Sequence, residues 1–242
     1  MPHTPSVAGA PDRPIPLLID CDTGIDDALA LLYAAASPEA ELAGVGCVAG
    51  NVELHHIVSN TLGVLELAGR GDVEVAAGRA HPIARPLRIA DDTHGSTGLG
   101  YAELPSPAAQ AGDRDAAELI VAEAAARPGE LTLVTLGPLS NVAVALDREP
   151  ELPSYLKGLV MMVGAYRAPG NTAPTMEWNA GVDPEALAAT LAGWEAVEDA
   201  PRPVAFGLDV TERARMTPEH LERLAETAGG SDFPVVEFVS EA

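Results

Sequence analysis

Short apolar runs alternate with segments of helical period along this chain, and that alternation constrains the fold more than any other feature. Residues 15–20 read as a strand and 26–37 as a helix, 42–49 as a strand and 53–69 as a helix, and 73–77 as a strand. After a long loop, 113–127 read as a helix and 131–136 as a strand. Strand–helix–strand order of this kind builds a largely parallel sheet. The runs Leu-Thr-Leu-Val-Thr-Leu (131–136) and Leu-Val-Met-Met-Val (159–163) carry no charged face, as expected of strands covered on both sides. The expected architecture is a single α/β, Rossmann-like domain over residues 15–242, with a mostly parallel central sheet flanked by helices. Residues 1–14 are expected to be loosely ordered. A chain of 242 residues suits one such domain, and no repeat, low-complexity tract or linker divides it.

In parallel sheets of this type the ligand site lies beyond the carboxyl ends of the strands. The first strand runs directly into Asp20-Cys21-Asp22-Thr23-Gly24-Ile25-Asp26-Asp27, four carboxylates within eight residues. Anions gathered at a buried strand end repel one another and raise each other's pKa values unless a cation sits among them. A solvated acidic turn with a helix cap needs only one or two Asp residues. It does not require Asp20 and Asp22 two positions apart on the same side of an extended chain, followed by Gly24 for a bend. Oxygen ligands of this kind point to Ca2+ or Mg2+.

The charge balance narrows the partners. With 36 acidic against 14 basic residues the net charge is −22, which argues against a nucleic acid or an anionic membrane surface. Hydrophobic residues make up 47% and aromatic residues 4% of the chain, so the core is built from Ala, Val and Leu. Cys21 and Cys47 lie in apolar strands outside any C-x-x-C spacing and read as reduced structural thiols. The first sixteen residues contain no apolar signal segment, no run approaches a membrane span, and a cytoplasmic location is expected.

Residues 81–110 are rich in Pro, Gly, Asp and Thr and have no clear period. Within them Asp92-Thr93-His94-Gly95-Ser96-Thr97-Gly98 reads either as a mobile flap over the site or as a plain surface excursion. Further polar residues fall at strand ends or in adjoining loops: Gly50-Asn51, Leu136-Gly137-Pro138-Leu139-Ser140-Asn141, Asn171 with Glu177-Trp178-Asn179, and Asp209-Val210-Thr211. Singly, each is a weak signal, since an Asn after Gly is more often a turn residue than a ligand.

In this order, together with the D-x-D-x-G-x-D-D run and the E-W-N-x-x-x-D-P-E-A block from Glu177 to Ala186, they resemble the nucleoside hydrolases, the metal-dependent N-ribohydrolases called inosine-uridine preferring. The resemblance spans about Pro16 to Arg215. It implies hydrolysis of ribonucleosides to free base and ribose with Ca2+ as cofactor, and a homo-oligomer, dimer or tetramer. It also implies roles for individual residues. Asp22, Asp27 and the Leu136 carbonyl match calcium ligands, and Asp22 also matches the residue that deprotonates the metal-bound water. Asp26, Asn171, Glu177 and Asn179 match groups that hold the ribose hydroxyls. Asn51 matches an Asn close to the ribose and the attacking water, Met162 lies against the sugar, and His94 matches a His of the mobile loop near the base. Asp20 is expected to orient the others rather than to bind.

The family also carries a His-Asp pair further along its sequence, which supplies a leaving-group acid in some members and another metal carboxylate. No such pair follows Thr211 here, and His220 reads as a surface residue of a helix. Reduced activity, or a non-catalytic nucleoside- and metal-binding remnant, is the alternative that this leaves open. A D-x-D run after a first strand also occurs in haloacid-dehalogenase-like phosphatases, which use the first Asp as nucleophile. Their order after the second Asp is Gly-Thr, whereas this chain has Thr23-Gly24 and then Asp26-Asp27.

Overall fold

The computed structural model describes residues 13–228, 230 and 233–242. The expectation for residues 1–14 therefore lies almost wholly outside the described residues. The chain runs β1 (Ile15–Cys21), α1 (Ile25–Ala36), β2 (Ala40–Cys47), α2 (Leu54–Leu67), β3 (Val75–Ala77), α3 (Asp91–His94), α4 (Ala116–Ala126), β4 (Thr132–Thr135), α5 (Ser140–Arg148) and α6 (Leu152–Tyr155). It continues through β5 (Gly158–Met162), α7 (Trp178–Val182), α8 (Pro184–Glu195), β6 (Val204–Phe206), α9 (Leu208–Thr211), α10 (Pro218–Ala228) and α11 (Pro234–Glu241).

Six strands form one sheet in the order β3-β2-β1-β4-β5-β6, and every pairing is parallel. The expected parallel α/β domain is what the chain forms. Successive side chains of β1 point to opposite faces and both faces are covered, which explains the largely apolar strand sequences. Leu18 packs with Leu119, Leu133, Val142 and Leu159 on one side, and Ile19 with Leu31, Val45, Ile57 and Phe238 on the other. Winding proceeds outward from β1 through β2 to β3, then returns to add β4 on the other side of β1. The two halves therefore diverge between β1 and β4, and at that point a crevice opens beyond the strand ends.

Element ends moved by a few residues for local reasons. The helix expected over 113–127 starts at Ala116 because the Asp115 carboxylate accepts the Glu118 N–H at 2.8 Å and caps it. The strand expected over 73–77 pairs only from Val75, opposite Val45. Residues 81–110, expected to be aperiodic, contain the single turn α3 and otherwise no regular element. Both cysteines are free and buried, directly opposite one another on β1 and β2.

Candidate active site

The acidic run is shaped by the passage from β1 into α1. Gly24 stands in extended conformation at the helix N-cap, so Asp26 and Asp27 fall in the first turn, where unpaired N–H groups and the helix dipole favour negative charge. Asp27 is buried and Asp26 exposed. Asp22 lies between the strand and the helix, buried, with Oδ2 accepting the Asn51 N–H at 2.8 Å, while Asn51 Nδ2 returns a bond to the Asp22 carbonyl at 3.0 Å. Two glycines make room for that carboxylate. A Cβ on Gly50 would fall onto Asp22 Oδ2, and one on Gly137 would lie 2.6 Å from Asp22 Oδ1.

A cavity of about 370 Å3 opens at the carboxyl ends of β1, β4 and β5. Asp22, Asp26, Asp27, Asn51 and Leu136 line it, and so do His94, Met162, Asn171, Glu177 and Asn179. Residues from seven separate segments of sequence thus meet in one place. Glu177 is buried and caps α7: Oε1 accepts the Asn179 N–H at 2.7 Å, and Oε2 accepts Gly164 N–H at 2.9 Å and Ala180 N–H at 3.0 Å. Three donors on a carboxylate with about four lone-pair sites leave room for one more. Asn179 Nδ2 donates to the carbonyls of Leu136 at 2.6 Å and Met162 at 3.0 Å, bridging the ends of β4 and β5. His94 comes from α3 in the loop, and its Nδ1 accepts the N–H of Ile25, the first residue of α1, at 3.2 Å. The ring proton therefore sits on Nε2.

Asp20 takes no part in lining the cavity. Its side chain is buried beneath Asp22, with Oδ1 accepting from Asn141 Nδ2 at 2.8 Å, and Asn141 also binds the Cys47 carbonyl and the Arg79 N–H. The segment Asp209-Val210-Thr211 lies outside the cavity lining as well. Asp209 accepts the N–H groups of Tyr166, Arg167 and Ala168 at 2.8, 2.8 and 3.0 Å and so holds the loop after β5. His220 is exposed on α10, its Nδ1 accepting the Thr217 N–H.

Burial dominates the electrostatics. It pushes the Asp20 carboxyl up to about 7 against the Asn141 hydrogen bond. Burial followed by the charge of Asp26 raises Asp27 to about 8, and burial with the charges of Asp27 and Asp26 raises Asp22 well above the usual range. His94 is lowered by burial, which outweighs the opposing pull of Asp26 and Asp92. Asp27 Oδ2 and Asp20 Oδ2 are buried without a hydrogen-bond partner among the described residues. Such oxygens are costly to ionise unless positive charge arrives. Among the described residues no three His, Cys, Asp or Glu side chains form a metal-holding cluster.

The structure adds residues that the sequence reading did not single out. Arg88, Ala90, Thr172 and Trp178 also line the cavity, beside Asp92 and Thr93 of the segment read as a flap or a surface excursion. Trp178 lies between two residues already singled out, whereas Arg88 lies in an aperiodic loop with no local signal. Asp183, inside the E-W-N block, is buried and ties three segments together. Its Oδ2 accepts Ser140 Oγ–H at 2.6 Å and the Ile83 N–H at 2.9 Å, and Oδ1 caps α8 through the Ala186 N–H at 3.1 Å. Asp183→Ala should cost about 3 kcal/mol, because it removes a helix cap and strands the buried Ser140 hydroxyl and the half-buried Ile83 N–H. Urea unfolding checks this, and a loss under about 1 kcal/mol would contradict the anchor role.

Fold and site together define a doubly wound α/β protein with an anionic, small-molecule-sized pocket at its switch point. The family model described as inosine-uridine preferring nucleoside hydrolase matches residues 17–242, and the chain belongs to that family. A pyrimidine-specific ribonucleoside hydrolase, RihA of Photobacterium profundum, is 40% identical over 210 residues, 86% of this chain and 65% of that protein. A probable uridine nucleosidase of Oryza sativa is 37% identical over 88% of this chain and 64% of its own length. Among solved structures, the purine-preferring ribonucleoside hydrolase from Gardnerella vaginalis superposes with a TM-score of 0.85 at 30% identity, covering 93% of this chain and 70% of that one. The chain thus spans about two thirds of the length of the relatives it matches.

Proposed function

We propose that this protein hydrolyses the N-glycosidic bond of ribonucleosides to free base and ribose, with Ca2+ as cofactor. The observation that carries the reading is the composition of one cavity, where buried Asp22 and Asp27 and the Leu136 carbonyl adjoin Asp26, Asn171, Glu177 and Asn179. The first group suits a hard cation, the second a polyhydroxylated sugar. The donors fit the ion: all are oxygens, Asp27 Oδ2 lacks a partner among the described residues, and Gly50 and Gly137 keep side chains away from Asp22. When bound, Ca2+ supplies the charge that lowers the pKa of a water and grips sugar hydroxyls.

The chain's own residues do the rest. Asp22, fixed through Oδ2 by Asn51, accepts the proton of the attacking water. Departure of the base leaves an oxocarbenium-like sugar, which the negative potential of Asp22, Asp26 and Asp27 stabilises. Glu177 offers its remaining lone pair to a ribose hydroxyl, with Asp26, Asn171 and Asn179 beside it. Met162 lies against the sugar, and His94 presents Nε2–H toward the base. The phosphatase alternative requires Asp20 as nucleophile. Asp20 is 0% exposed and absent from the cavity wall, which argues against it.

The direct test is incubation with uridine, inosine and a phosphate ester in Ca2+ or in chelator. Free base in Ca2+ is the expected product. Free phosphate would favour the phosphatase reading, and no product the non-catalytic one. The same reading extends to a cytoplasmic homo-oligomer, dimer or tetramer, with no nucleic-acid or membrane partner. No helix among the described residues is long and apolar enough to cross a membrane.

Cation binding has a thermal signature. A carboxyl raised on folding from 3.8 to about 7 or 8 holds its proton more tightly in the folded state. In chelator the folded state therefore loses stability as pH rises from about 4 to 8. Calcium at about a hundredfold over Kd should add roughly 2.7 kcal/mol, with a larger rise in Tm at pH 8 than at pH 5. Melting curves at the two pH values check this, and equal curves with and without millimolar calcium would refute it.

A further inference from the structure

Arg88 is exposed at the rim of the cavity, with its guanidinium carbon 5.8 Å from the centre of the Trp178 ring. It is the one lysine or arginine among the described residues lining that cavity, opposite a wall that includes Asp22, Asp26, Asp27 and Glu177. Its loop is fixed at both ends. Ile83 N–H binds Asp183 at 2.9 Å, Arg85 pairs with Glu185 at 2.5 Å, and the Ala90 N–H binds the Asn51 carbonyl at 2.8 Å. Asp183 and Glu185 follow α7 directly, so the segments carrying Arg88 and Trp178 are tied to one another. Arg88 makes no ion pair among the described residues, although Asp92 lines the same cavity.

An acidic wall suits one half of the proposed reaction and opposes the other. Carboxylates stabilise the cationic sugar but repel the base, which departs with the electrons of the broken bond. Resting on the hydrolysis proposed above, we propose that Arg88, laid over Trp178, binds the nucleobase and stabilises the negative charge it acquires as it leaves. The water oxygen forms the new bond to C1′, its proton passes to Asp22, and the C1′–N electron pair goes to the base. The base anion is held by the guanidinium and takes a proton from solvent on release. Guanidinium N–H groups match the carbonyl oxygens and ring nitrogens on the edge of a base, and the indole face holds the cation in place.

The test combines kinetics with binding, in the full chain with millimolar Ca2+. Arg88→Gln should lower kcat on uridine by about 10²-fold, the scale of losing one charge-stabilising donor. The loss on p-nitrophenyl riboside, whose leaving group carries its own charge, should be smaller by about tenfold or more, and Arg88→Lys should restore part of the rate. By calorimetry the parent should bind 5-nitrouracil, the more readily ionised base, more tightly than uracil, and Arg88→Gln should lose that preference. Equal losses on both substrates, or a binding preference absent in the parent or unchanged in Arg88→Gln, would overturn the role of Arg88. A parent that cleaves neither substrate would count against the hydrolysis itself, while the binding comparison would still judge Arg88.

Discussion

Asp22→Asn is expected to lower kcat on uridine or inosine by about 10⁴-fold, the upper end for loss of a general base. The substitution preserves shape. An amide oxygen in place of Oδ2 still accepts the Asn51 N–H, so the link between the β1–α1 turn and Asn51 survives. What disappears is one proton acceptor and one charge at the cation site. In chelator the variant should melt no lower than the parent and show a flatter dependence on pH. Burial and the neighbouring Asp27 and Asp26 make ionised Asp22 costly in the parent, and a neutral amide removes that cost. Steady-state kinetics with chelated melting curves check both parts. Residual activity within tenfold of the parent would assign water activation to another group.

The second large effect concerns the sugar. Uridine should exceed 2′-deoxyuridine in kcat/KM by about 10⁴-fold, because a site built to hydrogen-bond a hydroxyl leaves its own polar groups unpaired when that hydroxyl is missing. The geometry around Glu177 supports this magnitude. Its carboxylate is buried and held by three backbone N–H groups, so it cannot swing to water to replace a missing partner. Glu177→Gln should erase most of the discrimination. Competition assays with ribose and the paired nucleosides measure it, and comparable kcat/KM values for the two substrates would remove ribose recognition from this wall.

The relatives divide over the base itself. One bears a pyrimidine-specific name and another a purine-preferring one, although both are similar to this chain over most of its length. Of the residues proposed to face the sugar and the cation, Leu136 follows β4, Met162 ends β5, Asp26 and Asp27 open α1, Glu177 and Asn179 cap and enter α7, and Asn171 lies in the loop between β5 and α7. Arg88, Asp92 and His94 come from the segment over 81–110, which holds one helical turn, α3, and otherwise no regular element. Loops carried by a rigid scaffold are the usual place for specificity to vary.

The sequence alone determined the parallel α/β plan and the position of the site. Uncharged strands alternating with helical segments have few other ways to cover both faces of a sheet, and an acidic run after the first strand must fall at a strand end. The family resemblance that the D-x-D-x-G-x-D-D run and the E-W-N block carry also picked out ten residues that line one cavity, five of them outside those two local patterns. Only the tertiary structure decided which carboxylates face that cavity. By spacing alone Asp20 and Asp22 share one side of an extended chain. Asn141, reaching in from α5, turns Asp20 away from the cavity, as the resemblance implied, and Gly50 and Gly137 open the space around Asp22. It likewise decided that Asp183 joins three distant segments and that Arg88 meets Trp178. Contacts between residues about a hundred positions apart in sequence, such as that of Asp183 with Ile83, leave no period in the chain, since they depend on how the packed layers bring loop ends together.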